Sequence, residues 1–251
     1  MKSLVQYLEE KLIIKKGNNY RYFPKTKKEL QDIILKRIKD EGNEVDLNDI
    51  DVSEITDMSE LFARINFNGN ISAWNVSNVK DMSCMFLGCE SFNQDISNWD
   101  VSNVTNIKKM FSYCKSFNQD ISAWDVSNVI DVSYMFCGCN KFNKNISSWD
   151  VSNVTNMENM FSYCKNFNKD ISSWNVSNVT SMYAMFANCE SFNGDISKWD
   201  VSNVKDMRFM FYNCKKFNKD ISTWDVSNAK NNSYKMFYGS RIEERYKPKF
   251  K

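Results

Sequence analysis

The chain has 251 residues, 42% hydrophobic and 25% charged, with a net charge of +2. That composition supports a folded core, and so small a net charge gives no strong field to attract nucleic acid or an anionic membrane. Histidine is absent, so no Ser-His or Cys-His pair is available for nucleophilic catalysis.

The N-terminus, Met1 to Lys11, carries charges where a signal peptide needs an apolar run. No stretch approaches the ~18 uninterrupted apolar residues of a spanning helix. From these residues alone a cytoplasmic location without a membrane span is expected. Residues 1–24 read as a lead-in, with Leu4, Val5, Leu8, Leu12 and Ile13 in a pattern compatible with a helix and Pro24 as a breaker. Thr26-Lys27-Lys28-Glu29 then matches a capping box, in which hydroxyl and carboxylate satisfy each other's free backbone amides. Leu30, Ile33, Ile34, Leu35 and Ile38 follow at helical spacing and Gly42 supplies the stop. The spacing predicts a helix over 27–41 within a capping segment of 25–46.

From 47 to 238 the sequence repeats. Trp74, Trp99, Trp124, Trp149, Trp174, Trp199 and Trp224 recur every 25 residues, and Cys89, Cys114, Cys139, Cys164, Cys189 and Cys214 keep the same period. A fixed period in the 20–50 range marks a stacked array. Within a unit, Val104, Ile107, Met110, Phe111 and Cys114 stand at helical offsets with Asn103 at an N-cap position, and Asp120-Ile121-Ser122 alternates like a short strand. The expected fold is an α/β repeat solenoid of about seven coils: a leucine-rich-repeat-like right-handed coil with one short parallel strand and one short helix per unit. A lone coil cannot fold. About seven large apolar side chains at ~1.5–3 kcal/mol each face ~1–2 kcal/mol of backbone entropy for each of 25 residues. Neighbours must therefore share faces. Residues 239–251, charged and containing Pro248, read as a tail.

The pattern Val-Ser-Asn-Val-x-x-Met-x-x-Met-Phe-x-x-Cys-x-x-Phe-Asn-x-Asp-Ile-Ser-x-Trp-Asp resembles the repeat of bacterial BspA-like leucine-rich-repeat surface proteins. The segments Phe23 to Leu30 and Asp46 to Asp51 are similar to what precedes such repeats. The resemblance covers about residues 20–238. It implies a surface protein that binds or adheres and has no enzymatic activity.

The columns carry the remaining expectations. The cysteines read as small buried hydrophobes, with Cys84 and Cys137 off the column as exposed thiols. The tryptophans read as one core or corner file. Asp95, Asp120, Asp170, Asp195 and Asp220 are solvated charges relieved by neighbouring lysines, or a cation-binding column. Asp100, Asp125, Asp150, Asp200 and Asp225 are expected to bond amides of their own turns. Repeated acidic pairs argue against a catalytic centre, which is a unique spot, and no cofactor or metal is expected. Candidate partner-binding residues are those that vary between otherwise constant coils: Gln94, Gln119, Lys144, Lys169 and Lys219 in one column, Asn98 and Lys198 in another. The expected function is protein–protein or cell-surface recognition by a monomer, with no nucleic acid. The alternative is a structural protein that associates end to end through its terminal coils.

Overall fold

A computed structural model describes residues 20–250, so the apolar pattern from Leu4 to Ile13 lies outside the described residues. Helix α1 spans Lys27–Glu41. The Thr26 hydroxyl accepts from the Glu29 N–H at 3.2 Å, and the Glu29 carboxylate accepts from the N–H of Lys25, one residue before the cap. Gly42, at φ 91, ends the helix with its N–H on the Ile38 carbonyl. Leu30 and Ile34 are fully buried in the core shared with the array. Arg37 reaches Asp49 at 2.8 and 3.0 Å, and Lys27 bonds Asp57 and Ser59. α1 thus lies against the first coil.

Successive coils step by 25 residues. One parallel bridge links each to the next: Asp57 to Asp81, Asp81 to Asn106, Asn106 to Asp131, and so on to Asp206. These bridges fall inside the segment expected to be helical, and the coils hold no helix there. Among the described residues the only helices are α1 and short 3₁₀ turns at Ser227–Ala229 and Glu244–Tyr246. Alternate N–H groups leave the coil instead. Phe111 N–H donates to Met135 of the next coil at 3.0 Å, while Met110 and Ser112 donate three residues back, to Ile107 and Lys109. An apolar offset of three suits such overlapping turns as well as a helix. The turns need a left-handed residue at intervals, which Lys109 (φ 57) and Tyr113 (φ 61) supply, as do their equivalents in every coil.

The expected strand at Asp120-Ile121-Ser122 is also replaced. Asp120 Oδ1 accepts from the Ser122 N–H at 2.9 Å and Ile121 C=O from the Trp124 N–H at 3.2 Å. Local side-chain bonding of this kind competes with a ladder and here displaces it. Asn103 caps no helix either; its Nδ2 donates to Ser77 C=O of the preceding coil at 2.8 Å. The segment read as a tail continues the stack. Ile242 stands 25 residues after Phe217 and is buried; Tyr246 stands 25 after Ile221 and takes its N–H at 3.0 Å. Charge and Pro248 hid this register, though Pro248 itself is buried.

The core is a set of parallel files. Phe62, Phe86, Phe111, Phe136, Phe161, Phe186, Phe211 and Phe237 stack at 5.4–5.9 Å between ring centroids. A second phenylalanine file runs from Phe67 to Phe217 beside it. The tryptophans form a third, with Trp74 on Trp99 and Trp174 on Trp199 within 3° of parallel. Each indole N–H donates to a buried carbonyl of the coil before, as Trp149 does to Ile121 at 3.0 Å. Each column thiol does likewise, Cys139 to Phe111 at 2.9 Å. The polar atoms of buried Trp and Cys are therefore spent on holding neighbours together.

Candidate binding face

The bridged segment forms one long face of the stack, and coils differ there at four positions each. In Met-x-x-Met-Phe-x-x-Cys the outer pairs read Ser83-Cys84, Lys108-Lys109, Ser133-Tyr134, Glu158-Asn159, Tyr183-Ala184 and Arg208-Phe209. The second pairs read Leu87-Gly88, Ser112-Tyr113, Cys137-Gly138, Ser162-Tyr163, Ala187-Asn188 and Tyr212-Asn213. The methionines, phenylalanines and cysteines between them are buried. The backbone therefore presents a fixed grid on which these pairs are the variable elements.

Among the described residues, apart from Leu35 of α1, the exposed large apolar residues are Tyr113, Tyr163, Tyr234 and Tyr238 of this segment and Ile130 just before it, each 50–60% exposed. Towards the C-terminal end they merge into a cluster. Phe209 meets Tyr183, Tyr212 and Tyr234 edge-on at 5.5–5.8 Å, and Tyr212 stacks on Tyr238 at 5.4 Å. Cations lie over the rings: Arg208 over Tyr183 at 5.2 Å, Lys235 over Tyr234 at 5.1 Å, and Lys109 over Tyr134 at 5.3 Å. The Asp206 carboxylate holds the Arg208 guanidinium above its usual pKa, and burial followed by Glu158 raises that of the Tyr134 phenol. Such a surface combines large, stiff contact area with charge.

The columns singled out from sequence lie in the segment between the Phe and Trp files. Gln94 and Gln119 donate their side-chain amides to Asn68 and Asn93 carbonyls of the preceding coil, at 2.7 and 2.6 Å. They serve as braces between coils. Lys144, Lys169 and Lys219 are half-buried, whereas Asn98 and Lys198 are exposed. Gly194 interrupts the lysine column and opens a shallow polar groove of about 630 Å³ that brings Lys169 and Lys198 together with Asp170 and Asp195. The variable pairs on the bridged face were missed. Their signal was present as coil-to-coil variation, but a helical reading scattered those positions around an axis.

Both aspartate columns close turns on the serine two residues on, Asp95 with Ser97 and Asp100 with Ser102, at 2.9 and 3.1 Å. The serine bonds hold these carboxyls below their ordinary pKa, outweighing for Asp95 the repulsion from Asp120. Among the described residues no three Cys, Asp or Glu side chains are grouped to hold a metal ion. Cys137 is not the exposed thiol expected. It is 4% exposed, its burial pushes the thiol pKa up, and Tyr113 and Ser112 bond to it. Cys84 is half-buried.

The profile of a family described as Mycoplasma protein of unknown function, DUF285, matches residues 32–149 and again 131–247. The chain belongs to this family. The two matches overlap within the array, as expected when a DUF285 profile several coils long meets a longer run of the same repeat. No curated protein matches this DUF285 chain. Among its described residues no helix is long and apolar enough to cross a membrane.

Proposed function

We propose that the chain is a non-enzymatic recognition module, a leucine-rich-repeat-like solenoid of the BspA-like kind that engages a protein partner at a cell surface. The observation that carries this reading is the placement of Tyr113, Tyr163, Tyr234 and Tyr238, exposed on a face where the coils vary. Tyrosine gives a large amphipathic contact for two χ angles of entropy, the pattern of binding surfaces. A backbone bonded coil to coil needs little further ordering on association. The resemblance of the repeat to adhesion proteins supports the same reading, as does the repetition of both aspartate columns, which singles out no one acidic pair for chemistry.

The test is a partner captured by cross-linking in the native environment, identified, and titrated against variants. Tyr113→Ala with Tyr163→Ala should weaken its binding by more than about tenfold while the array stays folded. Reversing Lys144, Lys169 and Lys219 to Glu should leave affinity within a factor of about two. The opposite pattern would move the contact to the lysine column.

A further inference from the structure

The bridged face has a polarity that the coil pattern imposes. The peptide unit between Met110 and Phe111 accepts from Phe86 N–H on one side and donates to Met135 C=O on the other. Repeated from Leu61–Phe62 to Met236–Phe237, this makes one continuous file of peptide groups along the stack. Parallel files run from Glu60 to Lys235 and from Arg64 to Gly239, and every link in the three measures 2.6–3.1 Å. All carbonyls point to the N-terminal end and all N–H groups to the C-terminal end. Head-to-tail peptide dipoles add, as in a helix, and the N–H end carries the positive pole.

The two ends are finished differently. At the carbonyl end the ammonium of Lys27, on α1, bonds Ser59 Oγ and Asp57, a cation at the negative pole. At the other end the N–H groups of Lys235, Phe237 and Gly239 have no partner among the described residues. Lys235 and Gly239 are exposed there and Phe237 is half-buried. The same terminal segment carries Lys230, Lys235, Arg241 and Lys249, which form no ion pair among the described residues, whereas Glu243 and Glu244 are taken by Arg245 and Lys247.

We infer that this open edge binds an extended, acidic segment of a partner protein, which adds as the next rung of the ladder. Three donors on alternate residues call for a row of carbonyls, which a single small anion does not have. The positive pole and the unpaired cations select carboxylate side chains along that row. A second copy of this chain is disfavoured because α1 occupies its carbonyl end. The edge adjoins the C-terminal end of the tyrosine face, where Tyr234 and Tyr238 flank its donors, and it does not depend on Tyr113 or Tyr163.

The test adds a blocked eight-residue peptide of alternating Glu and Val to the full chain and follows amide exchange. Exchange at Lys235, Phe237 and Gly239 should slow about tenfold at saturation and recover with added salt. Lys235→Glu should weaken binding about tenfold, and the Tyr113→Ala, Tyr163→Ala variant should bind unchanged. Absence of slowing, or equal slowing by a Lys and Val peptide, overturns the inference. So does slowing without peptide that grows with protein concentration, which would mean self-association.

Discussion

The ring of Tyr113 lies over Gly138, so close that a Cβ added at Gly138 would stand 2.8 Å from the ring's Cδ1. Gly138 has φ +75, yet this column does not require glycine on conformational grounds, since Tyr113, Tyr163 and Asn188 occupy it at φ 60–61. Contact between neighbouring coils decides the residue. At Gly88 an added Cβ would find its nearest neighbour at 3.8 Å.

Gly88→Ala should therefore lose only the left-handed penalty of about 1 kcal/mol. Gly138→Ala should lose a further ~1–2 kcal/mol from overpacking. Removing the ring with Tyr113→Ala should recover that extra part and leave the first. Urea midpoints of the four proteins decide it; equal losses at both glycines would mean that the ring moves aside freely.

The 25-residue step, the buried Trp and Cys files and α1 were legible because each rests on spacing or on a local cap. Thr26, Glu29 and Gly42 bracket α1 without help from tertiary contacts. The path within a coil was not legible. Val104, Ile107 and Met110 have the offset of a helix, but Lys109, Phe111 and Tyr113 of the same segment bond residues 24 away in the next coil, and no local propensity encodes that. The same cause hid the candidate binding face. Lys108-Lys109 and Ser112-Tyr113 become one surface only once alternate N–H groups turn outward to the next coil. The terminal register was masked by substitution, Ile242 for phenylalanine and Tyr246 for isoleucine. The Cys137 expectation failed because Tyr113 of the preceding coil covers it.

Trp149 tests how much one inter-coil bond contributes. Its indole N–H reaches Ile121 C=O at 3.0 Å, with the side chain 3% exposed. Trp149→Phe keeps most of the apolar area and leaves that carbonyl its other donor, the Trp124 N–H, so a loss of about 0.5–1.5 kcal/mol is expected. Trp149→Ala adds a cavity and should cost about 3–5 kcal/mol. If Trp149→Phe costs nothing in denaturant titrations, the bond contributes nothing and packing alone holds the file.

The thiol column predicts an alkaline limit to stability. Burial pushes Cys89 from 9.0 up to about 12 and holds Cys114, Cys139, Cys164 and Cys189 well above the ordinary value. The unfolded thiol ionises near 9 and the folded one does not, so the stabilisation is whole below pH 9 and drains as pH rises towards the folded values. Urea midpoints should hold steady from pH 7 to 9 and fall beyond it, less steeply in Cys139→Ser. In the native state at pH 8, iodoacetamide should label Cys84 ahead of every column cysteine. Rapid labelling of Cys139 would show that the coils part readily.

Helix α1 should govern how the array opens. Leu30 and Ile34 are its fully buried side chains against the first coil, and Arg37 fixes its orientation through Asp49. Burial alone would lower the Arg37 pKa, but the Glu41 and Asp49 carboxylates outweigh it and hold the guanidinium charged. Leu30→Ala should cost about 2–5 kcal/mol locally, and Thr26→Ala about 1 kcal/mol. In a stack held by nearest neighbours this loss stays near its origin. Amide exchange at Glu60, Phe62 and Arg64, which donate to the second coil, should therefore accelerate well before that at Asn159, Phe161 and Tyr163. Equal acceleration along the whole ladder would mean that the coils open as one cooperative unit and that α1 guards all of them rather than the first.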